Sequence, residues 1–186
     1  VVARADGYEE GNLLHSTTSD VGIINVFLEK THDLNIQLRL DDQLYNGNAL
    51  ITFVKDQDSK TVVYPEQRNV ELSQGQYEIQ VYVYKNSSLE FQETTKTECI
   101  EIPAGGIGGL FGFTTEKCID VKIPGQIISS VLAGGGKQNY YVLESELTSS
   151  DIVEINAPAL PIPTSLEQLQ TNFILFEDNK LDILFE

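Results

Sequence analysis

Apolar and polar residues alternate strictly from Tyr77 onward, with Tyr77, Ile79, Val81 and Val83 on one face and Glu78, Gln80, Tyr82 and Tyr84 on the other. A period of two is that of a half-buried strand, not of a helix. Ser73-Gln74-Gly75 reads as a turn ahead of it and Val70 and Leu72 as a short partner strand, so 69–85 is expected to form a hairpin. The same alternation marks 34–40, with Leu34, Ile36, Leu38 and Leu40 on one face. Further strands are expected at 21–28, 49–55, 61–64 and, after a turn at 86–88, 89–94. Loops fall at Asp41-Asp42, Asn46-Gly47-Asn48 and 56–59. In the second half, 97–103 and 116–124 read as strands, as do 138–147 and 152–157. An extended linker follows at 157–163. Thr164-Ser165-Leu166-Glu167 reads as a capping box opening a short helix to about Gln170. Residues 173–176 and 181–185 then pair as a final hairpin. Short strands with frequent turns indicate an all-β, antiparallel β-sandwich protein rather than a parallel α/β sheet. The expected organisation is two packed β units, 1–96 and 97–186, with one short helix near the C-terminus.

Composition narrows the class. At 186 residues and 41% apolar, the chain can bury one good core or two small ones. Twenty-eight acidic residues against twelve basic give a net charge of −16. No two Lys or Arg residues are adjacent, so a phosphate backbone would be repelled and nucleic acid is a poor partner. No apolar run approaches the roughly 20 residues of a spanning helix. The chain has no Met and opens on Val1-Val2, which reads as a processed mature chain or an excised piece.

The succession Ala3-Asp6-Gly7-Tyr8, Val26-Leu28, Gly47-Ala49-Ile51-Phe53 and Val70-Leu72-Gly75-Tyr77-Ile79-Val81 resembles a known sandwich. It is similar to the seven-stranded fold of carboxypeptidase regulatory-like, prealbumin-like and collagen-adhesin B-type domains. Those families place a Gly-Tyr turn late in one repeat and a Leu…Gly-x-Tyr hairpin in the next. The resemblance covers roughly 1–95 and implies a non-catalytic repeat of a secreted or surface protein.

Two near-copies carry the only cysteines, Cys99-Ile100-Glu101-Ile102-Pro103 and Cys118-Ile119-Asp120-Val121-Lys122-Ile123-Pro124. In each strand the Cys lies on the face opposite the aliphatics, with Glu101 or Asp120. Two such thiols on neighbouring strands favour a disulfide and an oxidising compartment, which places the chain outside the cell or on its surface. With the cysteines opposed in an antiparallel pair, Ile100 faces Lys117, Glu101 faces Glu116 and Ile102 faces Thr115, whereas matching the near-copies would place Ile100 beside Ile119 in a parallel or indirect arrangement. That bond would constrain the unfolded chain by on the order of 3 kcal/mol, against a few tenths for the opposed acids. A zinc site would need two more soft ligands, and His15 and His32 are isolated from the cysteines.

Between the cysteine strands runs the apolar, glycine-rich segment 104–113. Ile107, Leu110, Phe111 and Phe113 could insert into a membrane, dock on a partner, or fold back over an open sandwich end.

Chemistry is thin elsewhere. Gly134-Gly135-Gly136-Lys137 lacks the Ser or Thr of a phosphate loop and reads as a flexible turn. His15 beside Ser16 has no orienting acid, and His32 before Asp33 has no nucleophile; the latter reads as a solvated turn. No cofactor is expected. Calcium is the one ligand with candidate donors, Asp41, Asp42, Asp56 and Asp58, although no calcium-loop motif is complete. Asn86-Ser87-Ser88 is a glycosylation sequon in an expected turn. The sequence thus points to a non-catalytic structural or adhesive module of a secreted or cell-surface protein, acting through self-assembly or a protein partner. The alternative is a membrane-engaging or ligand-binding module that uses the tip at 104–113, with calcium as a stabilising ion.

Overall fold

The computed structural model describes residues 1–13, 24–56, 58–91, 93–103, 114–123 and 125–186. In chain order the elements are β1 (Val2–Ala3), β2 (Gly11–Asn12), β3 (His32–Leu40), β4 (Gln43–Leu44), β5 (Ala49–Lys55), β6 (Asp58–Tyr64), β7 (Asn69–Leu72) and β8 (Gly75–Phe91). There follow β9 (Thr94–Pro103), β10 (Thr114–Ile123), β11 (Gln126–Val142), α1 (Glu144–Ser149), β12 (Ile152–Ala157), α2 (Leu166–Asp178) and β13 (Asp182–Phe185). The chain forms two compact units, Val1–Lys85 with Val131–Glu186, and Asn86–Ser130. The division expected at 96/97 is therefore replaced by an insertion. The second unit interrupts the sequence of the first.

The first unit is a β-sandwich. One sheet runs β11-β8-β5-β6; the other runs β13-β12-β3-β4, with β7 also paired to β3. All of these pairings that have a resolved register are antiparallel except β12 with β3, where Val153 lies beside Ile36 and Ile155 beside Leu38. The alternation in the sequence sets the two inner faces. Leu34, Ile36 and Leu38 of one sheet meet Ile51, Phe53, Ile79 and Val81 of the other in a single buried cluster. Each such side chain taken out of water contributes roughly 1.5–3 kcal/mol.

The hairpin expected at 69–85 does not form. β7 pairs with β3, Val70 beside Leu34, while β8 pairs with β5, Val81 beside Ile51. The chain changes sheets at Ser73-Gln74. Both strands carry an apolar inner face, and two facing sheets bury those faces as well as a hairpin would. Tyr77 fastens the crossing: its hydroxyl donates to the Ser73 carbonyl at 3.1 Å and accepts from the Ser73 amide at 3.2 Å.

Other differences have equally local reasons. Residues 21–23 of the expected 21–28 strand lie outside the described residues, and 24–28 form no strand. Val26 and Leu28 instead pack closely against Gly11. The triple glycine lies inside β11, buried. A Cβ on Gly135, where φ is +122°, would stand 1.9 Å from the Val81 carbonyl oxygen, so these glycines allow close approach rather than flexibility. Residues 144–149 are helical and 138–142 extended.

The final hairpin is also replaced. Residues 173–176 belong to α2, whose Ser165 cap accepts from the Gln168 amide at 3.2 Å. The helix buries Asn172 and Phe176, four residues apart, and Phe176 stacks on Tyr82 with ring centroids 4.3 Å apart. Asn172 donates to the carbonyls of Leu132 (3.0 Å) and Pro161 (2.8 Å), which ties the 157–163 segment down as packed structure rather than a free linker. β13 pairs instead with β12.

Candidate functional site

In the second unit, β9 and β10 form a two-stranded antiparallel ribbon of ten residue pairs. Cys99 is opposite Cys118, joined in a disulfide with the two Cα atoms 4.0 Å apart. Ile100 faces Lys117, Glu101 faces Glu116 and Ile102 faces Thr115, as the cysteine-centred register requires. One face of the ribbon carries the disulfide, the Glu101–Glu116 pair, and Thr97, whose hydroxyl donates to Asp120 at 2.6 Å. The other face carries Ile100, Ile119 and Val121, which are 52%, 47% and 41% exposed. Ile107, Leu110, Phe111 and Phe113 of the tip lie outside the described residues.

A second cluster, which the sequence reading missed, lies at the end of β5 in the sandwich. Lys55 has the parity of Ala49, Ile51 and Phe53, so its stem leaves the inner face, and a lysine on a core-facing parity was the signal available. Its ammonium is 2.7 Å from Ser73 Oγ, 3.0 Å from the Gln74 carbonyl and 3.1 Å from Glu9 Oε2, with Glu29 also in contact and the Tyr77 ring 5.8 Å away. Burial lowers the pKa of Lys55, but its hydrogen bonds to Glu29 and Glu9 outweigh it and hold it above the ordinary lysine value. Burial likewise raises that of Glu9, and the partners Ser73 and Lys55 outweigh it and leave the carboxyl below its ordinary value. The cluster therefore latches the segments around Glu9 and Glu29 to the point where the chain changes sheets. The adjoining cleft, about 480 Å³, is lined by Glu9, Asp58, Lys60 and Glu71 among others. Its lysines are engaged, Lys60 with the Glu71 carbonyl at 2.7 Å and with Glu9 at 3.8 Å.

The calcium candidates separate into two turns. Asp41 and Asp42 have φ of 49° and 65° and form the two-residue turn between β3 and β4, whose closing pair is Leu40 with Gln43. Two successive positive φ values are those of a type I′ turn, which Asp tolerates. Asp41 Oδ1 accepts from the Ala159 amide at 2.9 Å and Asp42 Oδ1 from the Asn156 side chain at 2.5 Å. Asp56, with φ of 52°, lies in the β5–β6 turn, and Asp58 opens β6 opposite Lys55. Among the described residues the four aspartates form no group of three metal-ligating side chains.

His15 lies outside the described residues, while His32 begins β3 and its Nε2 is 3.1 Å from Glu144 of α1. The expected solvated turn there is thus a part-buried histidine–carboxylate contact between elements. Asn86 is exposed, but it lies within β8 rather than in the expected turn. On the outer face of the β3 sheet, the largely buried Glu154 accepts from Gln37 Nε2 at 2.8 Å and forms an ion pair with Arg39, whose Nε lies 2.7 Å away. The Glu154 carboxylate raises the guanidinium's pKa, so this acid is an ion-pair partner.

No protein-family profile, curated protein or solved structure matches the chain. Among the described residues, no helix is long and apolar enough to cross a membrane.

Proposed function

We propose that this chain is a non-catalytic structural or adhesive module of a secreted or cell-surface protein, and that its ribbon is the element that meets a protein partner or a second copy. The observation that carries this reading is the set of exposed aliphatics Ile100, Ile119 and Val121, alternating with charged positions Lys117, Glu98 and Lys96 opposite them, on a ribbon closed by a disulfide. Two strands alone are marginal in water, and apolar residues left on such a ribbon favour a covering surface. The disulfide supports an oxidising compartment. The sandwich supports a scaffold role, because two of its charged pairs are engaged with each other: Lys55 with Glu9, and Arg39 with Glu154.

The test is sedimentation velocity of the wild type and of Ile119→Asp across a range of concentrations, paired with retention of extracellular proteins on each immobilised chain. The reading expects self-association or a retained partner that Ile119→Asp loses while its melting temperature is unchanged. A wild type that stays monomeric and retains nothing beyond what the variant retains would overturn it.

A further inference from the structure

The disulfide face of the ribbon holds four metal-competent side chains in two adjacent rows, Cys99 opposite Cys118 and Glu101 opposite Glu116. In sequence they read Cys99-Ile100-Glu101 and Glu116-Lys117-Cys118, so the pleat turns all four to one side. The sulfurs of Cys99 and Cys118 and a carboxylate oxygen of Glu116 all lie within 4.8 Å of one another. Around a tetrahedral zinc ion, with bonds of roughly 2.3 Å to sulfur and 2.0–2.2 Å to oxygen, neighbouring ligand atoms are about 3.3–3.8 Å apart. Side-chain rotation spans the difference, including for Glu101, which lies outside that group of three. Glu101 and Glu116 are like charges directly opposed, an arrangement that is unfavourable by itself and that a bound cation relieves.

We propose that, once the disulfide is reduced, Cys99, Cys118, Glu116 and Glu101 hold one thiophilic divalent cation of the zinc class. The ribbon then has two closures on the same four positions, a covalent one in oxidising surroundings and a metal one in reducing surroundings. The chemistry balances with a small thiol as reductant. Two reductant thiols supply two electrons, the sulfur–sulfur bond breaks, Cys99 and Cys118 take up the two protons, and the reductant leaves as its own disulfide. The cation then displaces those two protons, so binding strengthens as pH rises. Two thiolates select zinc-class ions over calcium or magnesium. Histidine ligands are not needed, because the cross-strand register supplies the remaining donors as carboxylates. This inference is independent of the partner-binding role proposed above.

The test uses the full chain, reduced with a phosphine under anaerobic conditions and freed of reductant. Zinc is titrated against a chromophoric chelator, and cobalt is added separately as a spectroscopic probe. The inference expects one ion per monomeric chain, a thiolate-to-cobalt charge-transfer band, and no binding by the oxidised protein. Glu101→Gln with Glu116→Gln should weaken zinc by at least the roughly 10–100-fold that even outer-shell partners cost. Cys118→Ser should abolish the tight site. The proposal is overturned if the oxidised protein binds equally, if the reduced protein binds nothing, if the double variant binds as tightly as the wild type, or if the metal appears only in cross-linked dimers.

Discussion

The ammonium of Lys55 stands 2.7 Å from the hydroxyl of Ser73, the residue at which the chain leaves one sheet of the sandwich for the other. A lysine stem passing along the inner face thus ends in a cage of oxygens that also gathers Glu9 and Glu29.

Lys55→Met keeps most of the stem's apolar contact and removes the charge. It leaves Glu9 facing Ser73 with only the more distant Lys60 as cation, a loss expected to cost about 1–3 kcal/mol. The urea midpoint should fall accordingly, and amide exchange around Glu9 should accelerate more than exchange in β3 or β8. An unchanged midpoint and unchanged exchange near Glu9 would remove the latch.

The pH profile has a definite shape. Lys55 and Tyr140 both have raised pKa values in the fold, that of Tyr140 pushed from 10.0 to about 12 by burial and by its hydrogen bond to Glu146. Each contributes stability that is complete below its ordinary value and lost as pH rises through the folded one. Glu9 is lowered, so its contribution is lost as pH falls through its folded value. Stability should therefore decline on both sides of neutrality. Tyr140→Phe should flatten the alkaline limb between pH 10 and about 12. If the variant's alkaline limb matches that of the wild type, Tyr140 is not responsible for it.

Two glycines separate steric from conformational cost. Gly7 has φ of +77° with nothing within 4 Å of a built Cβ, whereas Gly135 combines φ of +122° with a backbone oxygen at 1.9 Å. Gly7→Ala should cost on the order of 1 kcal/mol, and Gly135→Ala roughly 3 kcal/mol or more. Thermal unfolding of the two variants compares them directly. Equal losses would mean that β8 and β11 approach less closely than described.

The sandwich should be indifferent to calcium. Asp41 and Asp42 already accept hydrogen bonds from Ala159 and Asn156, so chelation or added calcium should leave the wild-type melting temperature unchanged. Asp42→Ala should lower it by about 1 kcal/mol in stability, through loss of the turn and of the Asn156 link. A calcium-dependent rise in melting temperature that Asp42→Ala abolishes would restore the ion.

The sequence carried the sandwich because period-two patterning survives into the structure wherever one face is buried. β3 and β5 lie where the alternation of Leu34–Ile36–Leu38 and Ala49–Ile51–Phe53 placed them. It did not carry sheet assignment. Val70 and Leu72 satisfy the same pattern beside Leu34 as they would beside β8, so the crossing at Ser73 was invisible. Phe173 and Phe176 could serve a strand or a helix, and the Asn172–Phe176 stripe decided for the helix. The glycines of β11 were misread because close backbone approach to Val81 leaves no composition signal different from a flexible turn. The ribbon register was legible, since opposing Cys99 and Cys118 fixes every other pair. Lys55 was legible only in its parity, because the acids it gathers lie far away in the chain.

The most direct measurement is a non-reduced peptide map of the native protein, isolated with a thiol-blocking alkylator present from the start. A braced ribbon in an oxidising compartment predicts one dominant species in which the Cys99 and Cys118 peptides are joined, with neither cysteine alkylated and the chain monomeric under non-reducing denaturing electrophoresis. Two freely alkylated cysteines, or a bond formed between chains, would contradict the covalent brace and the proposal of secretion that rests on it.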